Sequence, residues 1–211
     1  MISQYREAEP TMIHHVTIQP KILYYGTPVI LLTTLNEDGS TNISPISSSW
    51  ALGRYVVLGI GGGSKGLDNL KRHPECVLNI PEAAMWRQVE ALAPLTGRDP
   101  VPDYKQALGF RHEKRKFAAA GLTAQPAETV APERIAECPL QVEAAVRHIR
   151  TPEYDGYFAI VETEVLRVHA REDIVLGRHH VNPNAWNPLI YNFRHYFGLS
   201  PELGKTYRSE T

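Results

Sequence analysis

Strand-like stretches crowd the first eighty residues of the chain. Thr27–Thr34, Thr41–Ser49, Tyr55–Gly61 and Cys76–Ile80 are rich in Val, Ile, Leu, Thr and aromatic residues, a composition that suits pleated, half-buried backbone. Between the first two, Glu37-Asp38-Gly39-Ser40 supplies an Asp-Gly pair that tolerates positive φ. That predicts a short antiparallel hairpin rather than a parallel crossover unit. Leu67–His73 reads as a short helix closed by Pro74, and Pro81–Leu92 as a second helix opened by its proline. Pro94–Pro102 is polar and turn-rich, and Tyr104–Ala120 reads as one or two short helices carrying basic residues. Strand character returns at Leu140–His148 and Tyr157–Ala170, where apolar and polar residues partly alternate.

Two β-rich regions thus enclose a helical insertion at about 81–120, and the predicted fold is mainly β, of the α+β type, built on an antiparallel sheet or barrel. A chain of 211 residues favours a single domain over 1–211. The tail at about 184–207 is aromatic, with Trp186, Tyr191, Phe193, Tyr196, Phe197 and Tyr207. Such a tail is expected to pack on its own barrel or on another subunit.

Charge narrows the partners. The formal net charge is −1 and the pI about 6.8, so no basic field argues for nucleic acid, and any anionic ligand must be caught locally. The first residues are acidic and polar, and no stretch approaches the roughly 18 apolar residues of a membrane span. Cys76 and Cys138 lie far apart without zinc-site spacing, which fits a reducing cytoplasm and no disulfide framework.

Two segments carry candidate chemistry. Gly61-Gly62-Gly63-Ser64-Lys65-Gly66 joins a strand to a helix, where backbone N–H groups, a hydroxyl and an ammonium could surround a phosphate. It lacks the Ser or Thr of a Walker loop and the parallel context of a dinucleotide loop, and it reads equally well as a flexible turn. In Asn42–Ser49, hydroxyls fall on both faces of the strand, and Pro45 cannot donate to a ladder. That describes either an ordinary edge strand or a break where backbone groups are free for a ligand. The histidines show no HExxH or equivalent ligand set, so no metal is expected. His179 and His180 stay open as proton donors or substrate contacts. No GxSxG elbow or paired cysteine points to a protein nucleophile, and Lys114-Arg115-Lys116 reads as a solvated helix face from which one cation could reach a phosphate.

Four blocks together resemble the flavin reductase-like, FMN-binding split-barrel family, the flavoredoxin and NAD(P)H:flavin oxidoreductase type, from about Pro20 to Gly204. They are Pro28–Ser49 with Asn-x-x-Pro-x-Ser; SKGLDNL at Ser64–Leu70; KFAAAGLTAQPAETVAPERIAECP at Lys116–Pro139; and PLIYNFRHYFGLSPELG at Pro188–Gly204. The third block is the most specific, because no general structural rule demands that order. The resemblance implies a homodimer of Greek-key split barrels, each binding FMN along the strand after the first hairpin. Asn42, Ile46, Ser47, Ser48, Ser49 and Trp50 would then meet the flavin or its ribityl chain. Ser64, Lys65, Gly66 and Asn69 would hold the phosphate, with Lys116 and Tyr191 nearby.

The chain departs from the family pattern at two places. Gly66 replaces a phosphate-binding threonine, and Gly156-Tyr157-Phe158 replaces a Gly-Asp-His run whose histidine lies near the nicotinamide. The resemblance implies hydride transfer from NAD(P)H to bound FMN and onward to a second flavin or another acceptor, with no catalytic side chain required. Phe158 leaves open an electron carrier reduced by a partner protein, and Gly66 a split-barrel protein that has lost its flavin.

Overall fold

The computed structural model describes residues 13–209, and the acidic and polar first residues noted above lie outside them. In chain order come β1 (Tyr25–Pro28), β2 (Ile30–Leu35), β3 (Thr41–Ile46), β4 (Ser49–Leu52), β5 (Tyr55–Gly61), α1 (Lys65–Arg72) and β6 (Glu75–Ile80). A middle section holds α2 (Trp86–Leu92), β7 (Leu95–Thr96), α3 (Asp103–Ala107), β8 (Arg111–His112), α4 (Lys116–Ala120), β9 (Ala124–Gln125) and β10 (Arg134–Ile135). The long pair β11 (Leu140–Arg150) and β12 (Phe158–Ala170) follows. Then come β13 (Val175–Leu176), β14 (His180–Val181), β15 (Ile190–Asn192) and β16 (His195–Phe197).

Seven antiparallel strands form one sheet in the order β3-β2-β6-β11-β12-β5-β4. Its two edge strands are neighbours along the chain: β3 pairs with β2, β4 pairs with β5, and only Ser47 and Ser48 lie between them. The sheet must therefore curl until one stretch of chain can pass from one edge to the other, which makes it the antiparallel Greek-key split barrel expected. Gly59 N–H donates to Ser48 O at 2.8 Å and ties the crossing point to β5. A Cβ at Gly59 would stand 2.9 Å from Ser48 Cβ, so this close approach needs glycine.

Alternation along β2 builds two apolar layers. Ile30 and Leu32 point into the barrel with Leu58, Leu78, Val161 and the α1 residues Leu67 and Leu70. Leu31 points outward with Ile43, and is covered by Val89 and Leu92 of α2 and by Ala120 of α4. The helical insertion is thus the lid of an outer core, anchored on β2 and β3. The strand expected as Thr41–Ser49 is broken after Ile46, and Pro45 sits at a sheet edge as its missing N–H requires. Pro81–Leu92 begins as a 3₁₀ turn at Ala83–Met85 before α2, and α3 and α4 are the two short helices of the Tyr104–Ala120 stretch, with β8 between them. The short parallel pair of β7 and β8 was not visible in the pattern. In the tail, β15 and β16 pair as a hairpin against β1, and Tyr191 and Tyr196 pack on the outer core. Among the described residues no helix is long and apolar enough to cross a membrane.

The connection from α4 to β11 has little regular structure, yet buried polar side chains fasten it. Thr33 Oγ1 donates to Glu133 O at 2.7 Å, Asn79 Oδ1 accepts from Ile135 N–H at 2.8 Å, and Gln141 Nε2 donates to Ile135 O at 2.6 Å. The fully buried Glu143 carboxylate accepts from Glu128 N–H, Thr129 N–H and hydroxyl, and lies 2.7 Å from His169 Nε2. Burial alone would raise its pKa, but these bonds win and hold it at about 2, below its ordinary 4.5. Glu143→Gln should lower the unfolding free energy by about 2 kcal/mol at neutral pH in urea denaturation. Because the folded carboxylate titrates below the unfolded one, its contribution is present above pH 4.5 and is lost as the pH falls toward 2. The gap between wild type and variant should close over that window.

Candidate functional site

Where β3 ends, a cleft of about 380 Å³ opens, within the span of roughly 300–1,000 Å³ common for small-molecule sites. Pro45, Ile46, Ser47 and Ser48 form one side with Gly59 and Gly61 of β5, and the helical section adds Val89, Ala93, Leu95 and Phe110. Tyr24, Tyr191 and Tyr196 make an aromatic wall, with centroids 5.4 Å apart for the first two and 5.7 Å for the last two. Ser48 Oγ donates to the Tyr24 hydroxyl at 3.2 Å, and Tyr196 OH donates to Glu90 at 3.0 Å. Burial, and then this carboxylate, push the Tyr196 phenol pKa up, so it stays protonated.

A second part of the lining is polar and positive. It comprises Ser44, Ser64, Lys65, Thr96, Gly97 and Lys105, with Lys116 on α4. Ser64 caps α1, its hydroxyl accepting from Leu67 N–H at 3.2 Å, and the helix N-terminus favours negative charge. Lys65 pairs with Glu37 at 2.6 Å, and Glu37 also binds Arg72 at 2.7 Å. Lys105 Nζ donates to Gly63 O at 2.9 Å. Lys116, only 3 % exposed, donates to Ile43 O at 2.7 Å. Burial, and then the charge of Lys105, push its pKa from 10.5 down to about 8. Three lysines and no carboxylate therefore line the cleft among the described residues. Beside Gly97, Arg98 binds Asp68 through Nη2 at 2.5 Å while its buried Nε has no acceptor.

Most residues singled out in the sequence meet here. Ile46, Ser47, Ser48, Ser64, Lys65, Lys116 and Tyr191 line the cleft. Ser49 and Trp50 line an adjoining groove of about 700 Å³ that shares Tyr24, Ser47, Ser48 and Gly59 with it. Three others stand behind the lining. Asn42 is buried and donates to Ser44 Oγ at 3.0 Å. Gly66 lies close to β3, where an added Cβ would sit 3.0 Å from Ser44 Oγ and require that hydroxyl to give way. Asn69, expected at the phosphate, is fully buried and instead donates to Thr34 Oγ1 and Asn36 Oδ1, fastening α1 to the first hairpin.

His179 and His180 belong to the β13–β14 hairpin region and line neither space. Phe158 opens β12 opposite Gly61, so an apolar ring stands next to a cleft residue. The described residues hold no cluster of His, Cys, Asp or Glu able to bind a metal. Both cysteines are buried, and burial, then Glu75, pushes the Cys76 thiol up to about 12. Tyr24, Ser44, Thr96, Gly97, Lys105 and Phe110 were not picked out from the sequence as ligand contacts. Ser44 alone had a signal, since it lies in the hydroxyl-rich strand.

The sequence matches the flavin reductase like domain over residues 22–200. The chain belongs to that family. It is 59 % identical over 194 residues to the uncharacterized protein YdfE of Bacillus subtilis (strain 168), covering 92 % of this chain and 94 % of YdfE. Flavoredoxin of Desulfovibrio vulgaris (Miyazaki F) superposes with a TM-score of 0.75 at 19 % identity, covering 94 % of this chain and all of that one. A protein with a split barrel domain from Shewanella frigidimarina NCIMB 400 gives 0.70 at 16 % identity, covering 86 % of each chain. At these identities the structural likenesses establish the fold, and membership of the flavin reductase-like family rests on the sequence match.

Lys116 offers a direct check on the electrostatics. Its folded pKa lies below the unfolded value, so as pH rises from about 8 to 10.5 the unfolded chain holds more protons and the folded state gains stability. The stability of wild type relative to Lys116→Met, from urea denaturation, should be constant below pH 7.5 and move in favour of wild type across that window. A difference that stays flat to pH 10 would show that Lys116 is not a buried cation.

Proposed function

We propose that the cleft binds FMN and that the protein is a flavin reductase-like oxidoreductase, passing a hydride from NAD(P)H to the flavin and electrons onward to a second flavin or another acceptor. The observation that carries this reading is a lysine-lined cleft beside the N-terminus of α1, in a chain of the flavin reductase-like family. The residues fit a flavin phosphate. Ser64 and the N–H groups opening α1 offer donors, Lys65, Lys105 and Lys116 offer charge, and the orphaned Arg98 Nε lies nearby. The free edge at Ile46–Ser48 and the apolar wall of Val89, Ala93, Leu95 and Phe110 suit a flat, largely apolar ring.

Bound flavin would supply the hydride and electron chemistry. The chain's tasks are positioning and exclusion of water. Ser47 and Ser48 offer backbone and hydroxyl groups to the ring, the three tyrosines close one side, and Lys116 holds positive charge within the cleft. Protein-borne acid or base catalysis is not needed for this reaction.

The adjoining groove carries exposed Leu23, Tyr25, Trp50, Leu52 and Tyr55 on its lining. Apolar residues gathered at that density suit a protein interface, and a second copy of the chain completes our reading as a homodimer. Sedimentation should then give twice 23.7 kDa at micromolar concentration, and a monomer mass would contradict it. Two buried free thiols suit a reducing, cytoplasmic setting.

A second reading is an FMN-binding electron carrier reduced by a partner protein, favoured by the apolar Phe158 beside Gly61. FMN added to the protein should lose fluorescence with a dissociation constant in the micromolar range or below. Anaerobic mixing of the loaded protein with NADH and with NADPH should bleach the flavin absorbance with at least one of them. Absence of bleaching over minutes with both would leave the carrier, and absence of quenching would remove both readings.

A further inference from the structure

The β15–β16 hairpin turns on two residues, Phe193 and Arg194, and closes with the pair Asn192 and His195. A turn this short follows the twist of its strands only when both residues take left-handed backbone, which is why Asn-Gly is the usual choice. Here Phe193 stands at φ 44° and Arg194 at φ 68°. Every other left-handed position among the described residues is a glycine, including Gly39, Gly53 and Gly177 at the turns of the β2–β3, β4–β5 and β13–β14 hairpins. The hairpin thus requires the left-handed backbone, but not a bulky ring and a long cation upon it, and both strain it.

Packing within the chain gives little back. Phe193 is 44 % exposed, and Arg194 is exposed and forms no ion pair among the described residues. The turn is held by its backbone, with Phe193 N–H donating to Tyr24 O at 2.6 Å. Tyr24 lines both the cleft and the adjoining groove, and Tyr191 and Tyr196, on either side of the turn, belong to the aromatic wall of the cleft. Burial raises the pKa of the Tyr191 phenol and the charge of Arg194 acts against it, so that charge is felt at the wall. Phe193 and Arg194 do not line the cleft themselves. They stand at its rim, beside the residue that the cleft and the groove share. An exposed ring for stacking next to an unpaired guanidinium suits a ligand that joins an aromatic base to phosphate.

We propose that Phe193 and Arg194 form a recognition tip for a dinucleotide that enters over this rim, the ring stacking on a base and the guanidinium holding the pyrophosphate. A nicotinamide dinucleotide and FAD share that chemistry. The inference rests on the flavin reading given above and adds to it the residues that receive the second substrate. The strained turn is then kept for what its side chains bind, at some loss of stability.

Calorimetric titration of the FMN-loaded protein with NAD+, NADP+ and FAD separates the sources. Wild type should bind at least one of the three, with an affinity that falls as salt is raised. Phe193→Asn combined with Arg194→Gly installs the Asn-Gly turn. It should raise the midpoint of urea unfolding and weaken that dinucleotide at least about tenfold, while Arg194→Lys, which keeps the charge, should lose less. Unchanged dinucleotide affinity in the double variant, an unchanged or lower unfolding midpoint, or failure of wild type to bind any of the three would overturn the tip. Failure of wild type to take up FMN would overturn the flavin reading instead, and the same titrations of the flavin-free protein then decide the tip.

Discussion

The structure turns on one stretch of chain that serves both edges of the same sheet. β3 pairs with β2 and β4 with β5, with Ser47 and Ser48 alone between them. At the crossing the backbone cannot continue either ladder, and the contact of Gly59 N–H with Ser48 O is what remains. An unpaired stretch of backbone in a folded interior needs other partners. Here it forms the side of a cleft. The split is therefore both the seam of the barrel and the source of free polar groups at its candidate site.

Everything around the seam positions charge or shape against it. α1 plugs the barrel with Leu67 and Leu70 and, by the same placement, brings its N-terminus to Ser44. The helical insertion covers the outward face of β2 and β3 through Leu31 and Ile43, and that packing carries Lys116 into the cleft and Lys105 over it. The tail hairpin, paired with β1, contributes Tyr191 and Tyr196. Core packing and site construction are thus carried out by the same elements, so damage to the outer core should be felt in the cleft.

Local physics made part of this legible in the sequence. Tyr55–Gly61 is a strand over its expected residues, because β-branched and aromatic residues bounded by turns allow little else. The Asp38–Gly39 turn falls where expected, with Gly39 at φ 81°. The rest depends on contacts between residues distant in sequence. Asn69 follows the glycine turn closely in sequence, but its position on α1 aims it at Thr34 and Asn36. Lys105 reads in the sequence as one more basic residue on a helix, whereas in the fold its ammonium rests on Gly63 O at 2.9 Å. Buried Thr33, Asn79, Gln141 and Glu143 hold the loop of the third block at fixed points through its backbone, and Glu143 also through the Thr129 hydroxyl, contacts that lie far apart in the chain.

In the proposed complex the seam and the α1 N-terminus would together hold one flavin, with its ring by Ile46–Ser48 and its phosphate by Ser64, Lys105 and Lys116. The most direct test is a crystal structure of the protein soaked with FMN. The account predicts phosphate density within hydrogen-bonding reach of Ser64 and Lys105 and ring density along Ser47 and Ser48. An empty cleft at saturating FMN, or flavin bound away from the β3–β4 seam, would contradict it.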